Sequence, residues 1–185
     1  DIQLKHIDKF GFDDITFADF NAVVMDLSVI ENAIKRPIMG LIGQGELAGY
    51  EIVFNYDDQI VTLYGLDSAG DYRTYRRPPE PWAILDCDMS MHSPVIIGQI
   101  GDRKLRFGID SGAEGNLISL AFREDMKPHF SVESTDTLLG ADNNIIEVEL
   151  GAIDQIVFGG IVYKDMQTVF SNISHIPMAI DGLVG

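Results

Sequence analysis

The sequence has a single cysteine, Cys87, in 185 residues, which excludes an internal disulfide and a cysteine-built zinc site. It has no uninterrupted run of about 18 apolar residues, the length a helix needs to cross a bilayer. Positive charge is scarce: 13 Lys and Arg stand against 29 Asp and Glu, for a formal net charge of −16. A field of that sign repels phosphate backbones and anionic lipid, so neither nucleic-acid binding nor membrane insertion is expected. It suits a solvated acidic surface, or work at low pH where many carboxylates are neutral. The four histidines, His6, His92, His129 and His175, have no ligand spacing, and neither a metal nor a cofactor is expected. The first ten residues lack the basic head and apolar core of a secretory signal, while a start at Asp1 fits trimming. The compartment stays open, with the periplasm or cell exterior favoured.

What the sequence does have is 46% apolar residues and only 23% charged ones, the balance of a packed globular protein. The apolar residues fall in short β-type runs between Gly, Asn and Asp turns. Glu51 to Tyr56 and Gln59 to Tyr64 flank Asp57-Asp58 as one hairpin, and Val95 to Ile100 and Lys104 to Ile109 flank Gly101-Asp102-Arg103 as another. Ile145 to Leu150, Gln155 to Phe158 and Ile161 to Tyr163 read as three further strands. Helices are expected to be few. Ser28-Val29-Ile30-Glu31 has the form of a capping box opening a short helix before Pro37, and Ser119 caps another over Leu120 to Met126, ended by Pro128. Arg76-Arg77-Pro78-Pro79-Glu80-Pro81 cannot join a helix or a central strand and reads as linker.

A repeat spans that linker. Ile15 to Ser28, I-T-F-A-D-F-N-A-V-V-M-D-L-S, parallels Ile161 to Ser174, I-V-Y-K-D-M-Q-T-V-F-S-N-I-S. Each then reaches an apolar segment with two glycines, I-M-G-L-I-G at Ile38 to Gly43 and I-D-G-L-V-G at Ile180 to Gly185. The offset is 146 at the start (161 − 15) and 142 at the glycines (182 − 40), so the early copy carries four extra residues at its helix. The domain reading is a first unit at 1–77, a linker at 78–91 and a second unit at 92–185, with neither unit complete.

An aspartate followed by Ser or Thr and then Gly occurs once, at Asp110-Ser111-Gly112 within F-G-I-D-S-G-A-E-G-N. The apolar run Leu105 to Ile109 leads in, and small residues follow. A carboxylate that activates water must project from a tight turn with space beside it. Gly112 lets the backbone come close, Ser111 can hydrogen-bond across to a neighbouring turn, and Ala113 keeps the site small. Read without that context, D-S-G is an ordinary Asx turn. Rival motifs are weaker. Gly43-Gln44-Gly45 with Gly49 and Asp67 imitates a dinucleotide fingerprint but runs into β-like sequence from Tyr50. Ser111 lacks the G-x-S-x-G flanks of a hydrolase nucleophile, and Asp67-Ser68-Ala69-Gly70 reads as loop.

With D-S-G-A and the distal I-D-G-L-V-G, residues 92–185 resemble most of a retropepsin-type unit, and residues 15–64 resemble the second half of a similar one. The whole resembles the bacterial two-unit aspartyl proteases, related in architecture to pepsin. That resemblance implies an all-β fold of acid-protease-like closed barrel units with few short helices, and endopeptidase activity on a peptide or protein substrate. It implies Asp110 as one catalytic carboxylate of a pair, with Ser111, Gly112 and Ala113 supporting its turn. It places a flap at Gly140-Ala141-Asp142-Asn143-Asn144, and makes Gly182 and Gly185 structural glycines of the strand behind the site. The second aspartate would lie some thirty residues before residue 1. It comes from an upstream segment, from a homodimer partner, or from a permuted arrangement in which the Gly49 to Tyr64 hairpin completes the later unit. The upstream segment is favoured, because both ends cut through units. The alternative function is an inactive descendant that serves as a binding or structural module.

Overall fold

The computed structural model describes residues 3–13, 15–90, 93–113, 115–139, 145–174, 176 and 178–185. The chain divides into two compact units, Asp1–Glu80 and Pro81–Gly185.

The first unit is built from two hairpins and two short helices. Strands β1 (Gln3–Phe12) and β2 (Ile15–Val24) pair antiparallel, as do β3 (Tyr50–Asn55) and β4 (Ile60–Gly65), with helices α1 (Ser28–Ile34) and α2 (Gln44–Leu47) between them. The register of β1 with β2 is interrupted once, between Ile7↔Phe20 and Lys9↔Ala18, where Asp19 adopts a left-handed φ of 59°. Ser28 does not cap α1 as its sequence suggests: Leu27 occupies the cap position, and the Ser28 amide instead donates to Asp26 Oδ1. Glu31 reaches forward rather than back, accepting the amide of Ile38 at 2.7 Å. The helix after Gly43 is a single turn with no strand leading into it, so the dinucleotide imitation has no structural support. Phe10, Phe12 and Phe17 gather on one face of the hairpin, and Tyr50 meets Phe17 edge-on. Among the described residues Phe17 is the only apolar side chain of this unit that is buried.

The second unit is a closed barrel. Its strands are β5 (Val95–Ile100), β6 (Arg103–Ile109), β7 (Asn116–Ser119), β8 (Phe130–Leu139), β9 (Ile145–Phe158), β10 (Ile161–Ser171) and β11 (Gly182–Val184). Pairing runs β10-β7-β11-β6-β5-β9, and β9 returns to β10, so six strands form a ring while β8 flanks β9. Closure removes the free edges of those six strands. The sequence reading split Ile145–Leu150 from Gln155–Phe158, but they form one strand of 14 residues. Gly151-Ala152 looks like a turn because of its small residues. The glycine is required there for close approach: a Cβ at Gly151 would sit 2.0 Å from the carbonyl oxygen of Ser131 on β8. Ser119 does cap the helical stretch after β7, accepting from the Ala121 amide at 3.3 Å. That stretch continues from α3 (Arg123–Met126) into a 3-10 turn at Lys127–His129, where Pro128 is tolerated because it stands at the start of a new turn.

The alternation of β5 and β6 points Ile96, Gly98, Ile100, Leu105 and Phe107 inward, onto Ile118, Met126, Ile153, Ile156, Phe158 and Phe170. Phe107 packs edge-on against Phe158 with ring centroids 5.5 Å apart, and Phe130 against Phe170 at 4.7 Å. Leu85, from the segment leading into β5, packs on the same core, and Asp88 bridges to Val95. Phe107→Ala is expected to cost about 3–5 kcal/mol of stability, the range for emptying a buried aromatic site. Urea denaturation measures it, and a loss below about 1 kcal/mol contradicts this account of the core.

A second clamp ties the helical stretch to β9. Arg123 donates from Nε and an Nη nitrogen to the two oxygens of Glu149, each at 2.5 Å. Arg123 holds the Glu149 carboxyl below the usual carboxylate range, chiefly through these hydrogen bonds. A depressed folded-state pKa contributes stability above the unfolded value of about 4.3 and loses it as pH falls through the lower folded value. Glu149→Gln is therefore expected to flatten the dependence of stability on pH below about 4 relative to the wild type. Urea midpoints at pH 3, 4 and 6, a range set by roughly that pKa, check this. An unchanged acid slope refutes it.

Candidate active site

Asp110 follows directly on β6, at the mouth of the turn that leads to β7. Three backbone contacts fix it. Its amide donates to the Val184 carbonyl at 2.9 Å, its carbonyl accepts from the Ala113 amide at 3.1 Å, and its Oδ1 accepts from the Gly112 amide at 2.9 Å. Asp110, Ser111 and Gly112 are exposed and Ala113 is half-buried. Among the described residues no donor reaches Oδ2, and no hydrogen bond is made by the Ser111 hydroxyl. The flap residues Gly140, Ala141, Asp142, Asn143 and Asn144 lie outside the described residues. Their flanking strands β8 and β9 pair from Leu139↔Ile145 inward.

The turn alone is unremarkable. Asp67, in D-S-A-G, makes the same kind of Asx turn, its Oδ1 accepting from the amides of Ala69 and Asp71 at 2.9 Å each. What sets Asp110 apart is the strand behind it. β11 lies between β6, to which it runs parallel, and β7, to which it runs antiparallel. Gly182 is needed for that fit: a Cβ there would lie 2.4 Å from the Leu117 carbonyl oxygen and 2.7 Å from the Phe107 ring. Gly185 sits against the turn itself, where a Cβ would come 2.7 Å from the Ala113 oxygen and 2.8 Å from that of Gly115. Gly182 on β11 and Gly185 just after it are therefore close-approach positions behind the turn.

Three residues that sequence reasoning passed over complete the frame. Asn116 donates from Nδ2 to the Gln167 carbonyl at 2.8 Å and accepts the Gly185 amide on Oδ1 at 3.3 Å, joining β10, β7 and the end of β11. Asp181 exchanges backbone and side-chain hydrogen bonds with Arg106: its amide donates to the Arg106 carbonyl at 2.7 Å, and its Oδ2 accepts the Arg106 amide at 2.8 Å. The Arg106 side chain donates in turn to the Ala179 carbonyl. The signal for Asp181 was present in the difference between I-D-G and I-M-G in the two apolar-glycine segments. Asn116 gave none, because its partners are 51 and 69 residues away.

Residues 96–185 match the family model described as aspartyl protease. That segment, just under half of the chain, is similar to the aspartyl protease family. It takes in the barrel from Ile96 onward and the whole of the Asp110 turn. No curated protein matches the chain in sequence. Among solved structures, the chain is similar to a retropepsin-like aspartic protease from Rickettsia conorii, at 15% identity and a TM-score of 0.40, over 55% of this chain and 74% of that one. It is also similar to the retroviral protease-like domain of Ddi1 from Leishmania major, at 16% identity and a TM-score of 0.34, over 50% and 71%.

Residues 96–185 hold no group of three or more His, Cys, Asp or Glu side chains placed to bind a metal among the described residues. His129 is paired instead with Asp154, 3.5 Å away. Asn116→Ala is expected to lower stability by about 1–2 kcal/mol, the loss of two net hydrogen bonds. It is also expected to speed amide exchange at Asp110 and Gly112 far more than at Ile153. Equal acceleration throughout the barrel, or none at the turn, contradicts a local anchoring role.

Proposed function

We propose that this chain contributes one half of an aspartic endopeptidase active site, with Asp110 as one of two carboxylates that activate water. The observation that carries the reading is the exposed Asp110 carboxylate on a turn pinned by β11, within a segment similar to the aspartyl protease family. Two such aspartates, held close, cannot both ionise cheaply, so the pair shares a proton. The ionised partner removes a proton from a bound water, and the water attacks the peptide carbonyl. The protonated partner hydrogen-bonds the carbonyl oxygen, and no covalent intermediate forms. Neither the acid nor the base role belongs to Asp110 by itself. Ser111 serves to brace the partner turn, and the β8–β9 hairpin serves as the flap over the substrate.

The two-unit organisation supports this reading. The pair skipped at Asp19 in the first unit has its counterpart in the second: β9 and β10 skip a pair between Lys164↔Gln155 and Met166↔Ile153, where Asp165 has φ 51°. The offset between the two aspartates (165 − 19) is again 146. A left-handed non-glycine residue is uncommon in a strand, so its recurrence at one repeat position favours common descent of the hairpins. A second reading, a binding or structural module that has kept the scaffold, is favoured by one fact: the chain contains a single D-[ST]-G.

Asp110→Asn in an assembly that cleaves peptides is expected to abolish turnover while the urea midpoint stays within the error of the wild type. Undiminished cleavage by the purified variant sinks the peptidase role of Asp110. Absence of cleavage at every pH from about 3 to 8, a span set by roughly the carboxylate range, in a complex with both aspartates present, favours the binding module.

A further inference from the structure

The first unit has a hairpin like that of the second but almost none of its burial, and the second unit shows what is missing. Carried upstream at the same offset, the repeat extends through all of β1 without a gap. Leu4, Ile7, Asp8, Phe12 and Ile15 align with Leu150, Ile153, Asp154, Phe158 and Ile161. Three equivalent apolar positions are far more exposed in the first unit, although Phe17 is buried where its equivalent Tyr163 is exposed. Phe158 is 4% exposed and Ile156 fully buried, whereas Phe12 is 38% and Phe10 43% exposed. Phe170 is fully buried, whereas Val24 is 45% exposed. In the second unit those residues are covered because β10 pairs with β7 along Thr168–Ser171, and because β11 is held between β6 and β7. In the first unit the matching stretch, 22–25, has β1 on one side along Ala22–Val24 and no strand on its other side among the described residues, and β1–β2 is a sheet of two. The segment matching β11, 38–43, is in no strand, with Leu41 71% exposed.

We infer that the edge formed by Ala22–Met25 and Ile38–Gly43 is a docking surface for a strand–turn–strand segment. That segment is equivalent to Arg103–Ser119, lies outside these 185 residues, and is joined ahead of Gln3. It adds one strand to β2 and a second beside 38–43, so that Val24 becomes buried as Phe170 is, and Leu41 and Ile42 become half-buried as Leu183 and Val184 are. The Ile42 carbonyl then receives the amide of the incoming aspartate, as Val184 receives that of Asp110. A second copy of this chain does not fit the role. Its own Phe107 and Ile118 are fully buried in its own barrel, and donating β6 and β7 would empty that core. The repeat sets the order of connection, because residue 3 corresponds to residue 149 and the segment before residue 149 carries β5 to β8. The inference rests on the two-unit reading above, but concerns the pairing of strands rather than cleavage.

The test fuses a duplicate of residues 93–148, with its copy of Asp110 replaced by Asn, directly ahead of Gln3 of the full chain, and follows amide hydrogen exchange. In the unaltered chain those amides of Ala22–Met25 that face away from β1, and those of Leu41–Ile42, are expected to exchange close to unprotected rates, while those of Phe170 and Val184 are slow. In the fusion, exchange at the first set is expected to slow by about 100-fold or more, as for amides brought into a barrel ladder. No slowing overturns the inference, whether the added segment is folded elsewhere or unfolded. So does protection already present in the unaltered chain together with a dimer in sedimentation, which assigns the edge to a second copy. Restoring the aspartate in the duplicate then tests cleavage separately: a protected edge without turnover leaves the docking intact and counts against the peptidase reading alone.

Discussion

The second unit depends on the volume around the Phe107 ring. The ring fills the space that side chains at Gly98 and Gly182 would occupy, with a Cβ at either position coming within 2.7 Å of it. Because Gly182 yields that space, β11 can slide between β6 and β7, and because it does, its Val184 carbonyl meets the amide of Asp110. A packing constraint in the core thus becomes a positional constraint on a carboxylate at the surface. Interiors at crystal-like density transmit such constraints with little slack. The glycines of the final strand and the aspartate of the turn are therefore one device, although about seventy residues separate them.

Hydrogen bonds complete what packing begins. Asp181 and Arg106 zip the entry of β11 to β6, and Asn116 ties its exit to β7 and β10. Both ends of a three-residue strand are thereby fixed, which a strand so short could not achieve by its ladder alone. The outcome is an exposed acid on a rigid support, as chemistry at a carboxylate demands. The same support is what a binding module of this family would retain, so the scaffold and the activity are separate questions.

The two units show how far burial depends on neighbours rather than on composition. Both hairpins have an aspartate of left-handed φ at a skipped pair, and both present aromatic residues at the loop end. In one, Phe158 lies in the core of a closed ring. In the other Phe10 and Phe12 remain exposed, since a two-stranded sheet cannot bury both its faces.

Much of this was legible from residues 93–185 as text. The hairpins at Val95–Ile109, the strand of I-D-G-L-V-G and the D-S-G turn are local patterns of alternation, glycine and turn chemistry, and each formed where its residues imply. Ser28 and Gly151 misled for opposite reasons: a capping pattern was outbid by Asp26, and a glycine that looked like a break was a point of contact between strands. The roles of Asn116 and Arg106 were not legible, since their partners lie tens of residues away. By itself, the sequence determined the periodicity of each strand and the place of the aspartate, because these follow from the preferences of neighbouring residues. Only the tertiary structure decided which glycines touch the Phe107 ring, and that an Asx turn no different locally from the one at Asp67 is held from behind by a third strand. Burial and strand pairing are set by residues distant along the chain.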